Sequence, residues 1–192
     1  EPYRELAYDG VEVPYLTKYY ANTIVGYSYS KSLSLPGERI GYIVAPNEAE
    51  DFEQLLPAFI ASARLLSYVC VPTLYQKVVG ECVDLTSDLS IYQKNKDLFY
   101  NALVDMGYEC VEPGGAFYLF PKCDSFFGKS AGDRNINNAD DLAMYLLEVG
   151  HVACVGGTSF GAPECIRMSY ATSDENIVEA MRRIKETLAR LK

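Results

Sequence analysis

The stretch Ser28-Tyr29-Ser30-Lys31-Ser32-Leu33-Ser34-Leu35-Pro36-Gly37-Glu38-Arg39-Ile40-Gly41-Tyr42 gathers the residues of this sequence best suited to chemistry. Lys31 sits among small hydroxyl side chains, and Arg39 follows it in the same stretch. A lysine amine attacks a carbonyl only when neutral, so its pKa must fall from about 10.4. Burial near other positive groups achieves this, and an aldehyde cofactor can then hold the amine as a Schiff base. Ser28, Ser30 and Arg39 supply what a phosphate needs: hydroxyl donors and a planar fork of N–H groups. Either Lys31 or Arg39 alone would read as a stray charge on a solvated loop. Together, a lysine and a phosphate cradle point to pyridoxal phosphate.

Shorter signatures overlap the same residues. Ser28-x-x-Lys31 has the acyl-serine spacing of penicillin-binding enzymes, but the Lys-Thr-Gly element those enzymes need is absent. Tyr27-x-x-x-Lys31 has the spacing of the short-chain dehydrogenase pair, which lies on a long helix; Pro36-Gly37 would interrupt such a helix here. The stretch Gly156-Gly157-Thr158-Ser159-Phe160-Gly161 is a poor approach to a dinucleotide fingerprint.

The six cysteines Cys70, Cys82, Cys110, Cys123, Cys154 and Cys165 contain no Cys-x-x-Cys pair, and His151 is the only histidine. Zinc sites usually need closely spaced Cys/His ligands, so no metal centre is expected. Reduced, mostly buried cysteines in a cytoplasmic protein are expected instead. His151, after Gly150, reads as a turn residue. Lys and Arg total 17 against 26 Asp and Glu, a formal charge of −9. Residues 1–96 carry 8 basic and 12 acidic side chains, and residues 97–192 carry 9 and 14, so neither half is basic. General nucleic-acid binding is therefore disfavoured. No apolar run reaches the roughly 18 residues of a membrane span.

The elements that must position Lys31 read as follows. Residues 23–28 and 39–45, β-branched and aromatic, predict two buried strands flanking the Lys31 loop. Asn47 with Glu50 predicts a capping box, followed by a helix whose face carries Phe52, Leu55, Leu56, Phe59, Ile60 and Ala63. Pro57 is expected to kink or divide it. Further helices are predicted over 73–85 and 88–106, the latter with a stripe of Leu89, Tyr92, Phe99, Leu103 and Met106 and with Gly107 as its cap. Strands are predicted at 108–112, 116–121, 152–155 and 165–170. A helix at 139–149, capped by Asn138 and stopped by Gly150, interrupts them, and a last helix starts at Ser173 with a core face of Ile177, Met181, Ile184, Leu188 and Leu191. Residues 128–138 read as a mobile loop.

The Ser28–Tyr42 segment closely resembles the lysine signature of fold-type I, class I/II pyridoxal-phosphate aminotransferases, the aspartate aminotransferase family. Three further motifs follow in family order. Glu1-Pro2-Tyr3 resembles the end of its Asp-Glu-Pro-Tyr motif. Pro113-Gly114-Gly115-Ala116-Phe117-Tyr118-Leu119-Phe120-Pro121 resembles its small-domain strand motif. Val155 to Gly161, followed by Ile166-Arg167-Met168-Ser169-Tyr170-Ala171, resembles its substrate-carboxylate segment, although the family often has Pro where Gly156 stands.

The resemblance implies an α/β fold: residues 1–87 as the tail of the large cofactor domain with connecting helices, and residues 88–192 as an α+β small domain. It implies a transaminase moving an amino group between an α-amino acid and a 2-oxo acid, in a cytoplasmic homodimer. Lys31 would carry the cofactor and shuttle a proton; Ser28, Arg39 and the assisting Ser30 would bind its phosphate; Tyr3 would hydrogen-bond its phenolic oxygen; and Arg167 would grip the substrate α-carboxylate. The family's aspartate to the pyridinium nitrogen, its stacking aromatic and its upstream phosphate loop find no match here. The chain is expected to be a C-terminal half that by itself holds no cofactor and is inactive. A carbon–sulfur β-lyase and a ligand-sensing domain of a transcription regulator are the rivals. Phe160, Tyr118 and Phe117 are candidates to line a pocket, though core is the commoner role for such aromatics.

Overall fold

The computed structural model describes residues 1–192, and the chain divides into two compact units, Glu1–Asp88 and Leu89–Lys192.

In the first unit, β1 (Val25–Ser28) pairs antiparallel with β2 (Gly41–Val44), with Val25 opposite Val44 and Ser28 opposite Gly41. Between them, α1 (Tyr29–Ser32) turns the chain away from the strand. The sequence predicts two buried strands here, and the structure differs on burial. The pair is antiparallel, and all of β2 is exposed. Alternation and β-branching report that a segment can be a strand, but not which neighbours it finds. Helices α2 (Phe52–Leu65) and α3 (Thr73–Glu81) complete the unit, α3 ending four residues before the expected Leu85. The Asn47 capping box does not form: Asp51, in the left-handed region at φ 57°, precedes α2. Asn47 is displaced because Asn22 already binds the intervening turn, accepting from the Glu50 N–H at 2.7 Å.

Pro57 lies inside α2 without dividing it. The Glu53 carbonyl that Pro57 cannot serve belongs to an exposed residue, as is Pro57 itself, so solvent can satisfy it. No α2 residue is fully buried, and Leu56 and Ile60 of the expected apolar face are about half exposed, at 53% and 49%. The buried side chains of this unit are few, with Leu6, Tyr8 and Ile40 among them.

The second unit holds the larger core. Helices α4 (Leu89–Asp105), α5 (Ala139–Gly150) and α6 (Asp174–Leu188) pack with a three-stranded antiparallel sheet. Its order is β3 (Tyr118–Leu119), β7 (Ile166–Ser169), β6 (Val155–Gly156). Phe99, Leu103, Leu119, Leu142, Leu146, Ile166 and Ile184 are all buried. Asn138 caps α5 by accepting from the Asp141 N–H at 2.8 Å, and Ser173 caps α6 by accepting from Asn176 at 3.3 Å. Both caps satisfy backbone donors that a helix start leaves without partners.

Three expectations change here. Gly150 remains inside α5, and His151 takes the left-handed cap position at φ 55°. Gly150 serves close packing instead, because a Cβ there would meet Thr187 Oγ1 of α6 at 2.8 Å. Residues 108–112 form no strand, although Glu109 accepts from the Lys122 N–H at 2.8 Å. The segment expected as a mobile loop contains a hairpin, β4 (Ser130–Ala131) with β5 (Arg134–Asn135). Ser130 exchanges two backbone hydrogen bonds with Lys192, at 2.9 and 3.0 Å, and Ile136 beside the hairpin is buried.

The α4 stripe is also more polar than expected, since Asn95 and Lys96 are buried within it. Asn95 donates to the carbonyls of Tyr170 and Thr172 at 3.1 and 2.6 Å, and the Lys96 ammonium reaches Glu112 at 2.7 Å and Asp97 at 3.0 Å. A buried polar group survives because it is paired. The cysteines are free, as expected, but only Cys123 and Cys165 are buried; Cys70 is exposed and the other three lie between.

Candidate active site

Ser28 ends β1 and caps α1, its hydroxyl accepting from the Ser30 N–H at 3.2 Å. The Ser28 and Ser30 hydroxyls are 2.7 Å apart, so the two oxygens share one small patch. Lys31 occupies the next position of that single helical turn, with Nζ 5.9 Å from the centre of the Tyr3 ring. The spacing Ser-x-Ser-Lys therefore works as a unit. The strand fixes Ser28, the cap fixes Ser30, and the turn carries Lys31 toward Tyr3.

The return strand closes the loop behind this turn. Tyr29 donates its N–H to the Ile40 carbonyl at 3.2 Å. Gly41 lies so close to Tyr27 and Ser28 that a Cβ would collide with the Tyr27 carbonyl oxygen and sit 3.2 Å from Ser28 Cα. Glycine is required there for contact, not for conformation. Arg39 occupies the left-handed region at φ 55°, and its Nη1 donates to the Pro36 carbonyl at 2.9 Å. The structure thus brings Tyr3, Ser28, Ser30 and Lys31 together. Arg39 sits on the same loop with its guanidinium on the loop's own backbone and on neither serine.

The dehydrogenase-like spacing finds no support. Tyr27 belongs to β1 and Lys31 to α1, and the Tyr27 hydroxyl is bound within 2.8 Å of both Glu5 Oε2 and Ser32 Oγ. Burial pushes the Tyr27 phenol well above its ordinary value, with the Glu5 carboxylate adding to the effect. Its ring stacks on Tyr42 at 4.9 Å. The Glu5–Tyr27–Ser32 link fastens the Tyr3 segment to the Lys31 turn. Sequence reasoning missed it, because three polar residues far apart in the chain carry no shared pattern.

Arg167, on β7 of the second unit, has a different setting. The register places Tyr118 opposite Ser169 and Val155 opposite Arg167, so Tyr118 is the diagonal neighbour of Arg167 on one sheet face. The guanidinium carbon lies 4.7 Å from the Tyr118 ring centre and 4.0 Å from that of Phe160. Phe160 arrives on the 3-10 turn Gly157–Phe160. A Cβ on Gly156 would strike the Asp140 carboxylate, and one on Gly157 would strike the Ala162 and Cys165 carbonyls. These two glycines let the turn fold tightly enough to present Phe160 to Arg167. Gly156 lets Asp140 close over the backbone.

Elsewhere, burial pushes the thiols of Cys123 and Cys154 up to about 12, which removes them from nucleophilic roles near neutral pH. No cluster of His, Cys, Asp and Glu could hold a metal ion. No helix is long and apolar enough to cross a membrane.

Known proteins are similar to this chain over most of its length. The family model for aminotransferase class I and II matches residues 1–184. The chain is 35% identical over 169 residues to a probable aspartate/prephenate aminotransferase of Aquifex aeolicus, covering 84% of this chain and 40% of that protein. Among solved structures, an aminotransferase from Eubacterium rectale superposes with a TM-score of 0.87 at 41% identity, covering 98% of this chain and 44% of that one. The aspartate aminotransferase of Rhizobium meliloti gives 0.85 at 31% identity, covering 99% and 48%. The chain belongs to the aminotransferase class I and II family, and its mixed helix-and-strand fold is that of an aminotransferase. It spans less than half the length of these relatives.

Proposed function

We propose that this chain supplies the lysine and the carboxylate-binding arginine of a pyridoxal-phosphate-dependent aminotransferase acting between an α-amino acid and a 2-oxo acid. The observation that carries this reading is the Ser28–Ser30–Lys31 turn, with two hydroxyl oxygens 2.7 Å apart and the next residue's ammonium facing Tyr3. The donor set fits the cofactor chemically. Two hydroxyls and a nearby guanidinium suit a phosphate dianion, a primary amine suits an aldehyde, and a phenol suits a phenolate. When bound, pyridoxal phosphate supplies an electron sink for the bond broken at the substrate Cα.

The chain's own residues bind and move protons. Ser28 and Ser30 hold the phosphate, joined by Arg39 once its guanidinium leaves the Pro36 carbonyl. Tyr3 donates to the phenolic oxygen. Lys31 would hold the cofactor through its amine and would carry a proton to and from the substrate Cα. Arg167 holds the substrate α-carboxylate as a two-pronged donor. Aspartate, named in the relatives' descriptions, is the first substrate to test.

In this reading the first unit belongs to a large cofactor domain and the second is the small domain. The active form is a protein of the relatives' length, working as a cytoplasmic homodimer, and the 192-residue chain by itself is inactive. The β-lyase and regulator readings have no observation of their own. The test is pyridoxal phosphate and borohydride applied to a protein of the relatives' full length that contains this sequence, followed by peptide mapping. A reduced pyridoxyl group on the Lys31 peptide is expected; a label confined to other lysines would refute the assignment.

A further inference from the structure

We propose that Phe160 and Tyr118 are positioning residues that hold Arg167 as a flat receptor, so that it accepts carboxylates lying in the guanidinium plane. This rests on the carboxylate role given to Arg167 above. Guanidinium groups pair with carboxylates through two parallel N–H···O bonds in the plane of both groups, whereas their faces stack on aromatic rings. In this chain two rings lie against the guanidinium: their centres are 4.0 Å (Phe160) and 4.7 Å (Tyr118) from the guanidinium carbon. No hydrogen bond or ion pair of the chain engages the Arg167 N–H groups, although the residue is half-buried on β7. By contrast, the half-buried Arg4 also stacks on a ring, Tyr15 at 3.5 Å, but spends its N–H groups on Glu1 and on the Val13 and Pro14 carbonyls. Arg4 is a completed structural clamp. Arg167 has the same stacking and an unspent fork, which is the arrangement expected of a receptor awaiting an anion.

The parts have separate origins. Tyr118 is fixed by strand register, whereas Phe160 depends on the tight Gly156-Gly157 turn. The Phe160 ring also meets Phe120 edge-on at 6.1 Å, a second contact that braces it. A braced ring restricts rotation of the guanidinium about its long side chain. The entropy of ordering that side chain is then settled in the fold, before any ligand arrives.

The experiment uses the whole 192-residue chain with 15N-labelled arginine and reads the Nε–H resonances by NMR. In the free chain, Arg167 is expected to show a ring-current-shifted Nε–H that Arg167→Lys removes. Sodium pyruvate, a simple 2-oxo acid, is expected to move that resonance where sodium chloride of equal ionic strength does not. Phe160→Leu should return the shift to that of exposed arginines and weaken pyruvate binding about fivefold, the scale of one stacking contact; Phe160→Tyr should restore both. Phe160 is 45% exposed, so these changes leave the core intact. An unshifted Arg167 resonance in the unmodified chain overturns the clamp without any variant. Equal pyruvate binding by Phe160→Leu overturns its positioning role. An Arg167 signal that is shifted but indifferent to pyruvate overturns the carboxylate reading itself.

Discussion

Replacing Gly157 by alanine should disable the Arg167 region by a route that never touches Arg167. The added Cβ would collide with the Ala162 carbonyl oxygen and lie 2.6 Å from that of Cys165. Both obstacles are backbone, so no side chain can rotate away. Both are also held by the turn itself: Gly157 donates to the Cys165 carbonyl at 2.8 Å and accepts from the Ala162 N–H at 3.1 Å. Relief therefore requires the turn to open and carry Phe160 with it. Overpacking of this kind costs about 1–3 kcal/mol, and two blocked backbone atoms place Gly157→Ala toward the upper end. In a chain of this length that lowers the unfolding midpoint by roughly 4–12 °C. Two companion variants calibrate the reasoning. Gly161→Ala meets no atom but must keep φ 76°, so it should lose about 1 kcal/mol, or roughly 2–4 °C. Gly114→Ala meets no atom and has no such φ, so it should be close to neutral. Thermal unfolding by circular dichroism orders the three, and the Arg167 Nε–H resonance reports whether Phe160 has left. The argument fails if Gly157→Ala melts with the unmodified chain, or if Gly161→Ala proves the more damaging of the pair.

In an active protein carrying this sequence, Lys31→Ala should lose transamination by orders of magnitude and Arg167→Ala should chiefly raise KM for both substrates; steady-state kinetics separate the two, and an unchanged KM sinks the Arg167 role. The isolated 192-residue chain should acquire no stoichiometric borohydride-fixed label at Lys31, because each missing charge-assisted hydrogen bond removes about 1.5–3 kcal/mol of binding; quantitative labelling there would show that the chain's own groups suffice. The Arg182 and Arg183 guanidinium groups hold the Glu179 carboxyl down at about 2, so its contribution is complete above its ordinary value of 4.5 and is lost as pH falls toward 2. Glu179→Gln should accordingly flatten the acid limb of stability in that window, and an unaltered limb in denaturant titrations from pH 5 to 2 contradicts it. With a thiol reagent at pH 8, exposed Cys70 should react first, while Cys123 and Cys154, whose thiols titrate only at about 12, should wait for unfolding; early modification of either, seen by mass spectrometry, removes the burial argument.

What could be read from the sequence was local. The order Ser28, Ser30, Lys31, Gly41 carries its own geometry, since a capping hydroxyl, one helical turn and a close-approach glycine act within a few residues of one another. The caps Asn138 and Ser173 were legible for the same reason, because each satisfies a backbone donor three residues ahead. Tertiary structure alone decided whatever depended on distant partners. Nothing local says that β1 and β2 run antiparallel, that Gly150 makes room for Thr187 while His151 caps the helix, or that Lys96 is buried against Glu112. The same holds for the two aromatic rings against Arg167. Its proposed role rests on a motif, but Tyr118 reaches it through strand register and Phe160 through a glycine turn. Side-chain chemistry is written residue by residue. The environment that tunes it is set by which surfaces the folded chain brings into contact, and those contacts are made across sequence distances over which no short-range pattern survives.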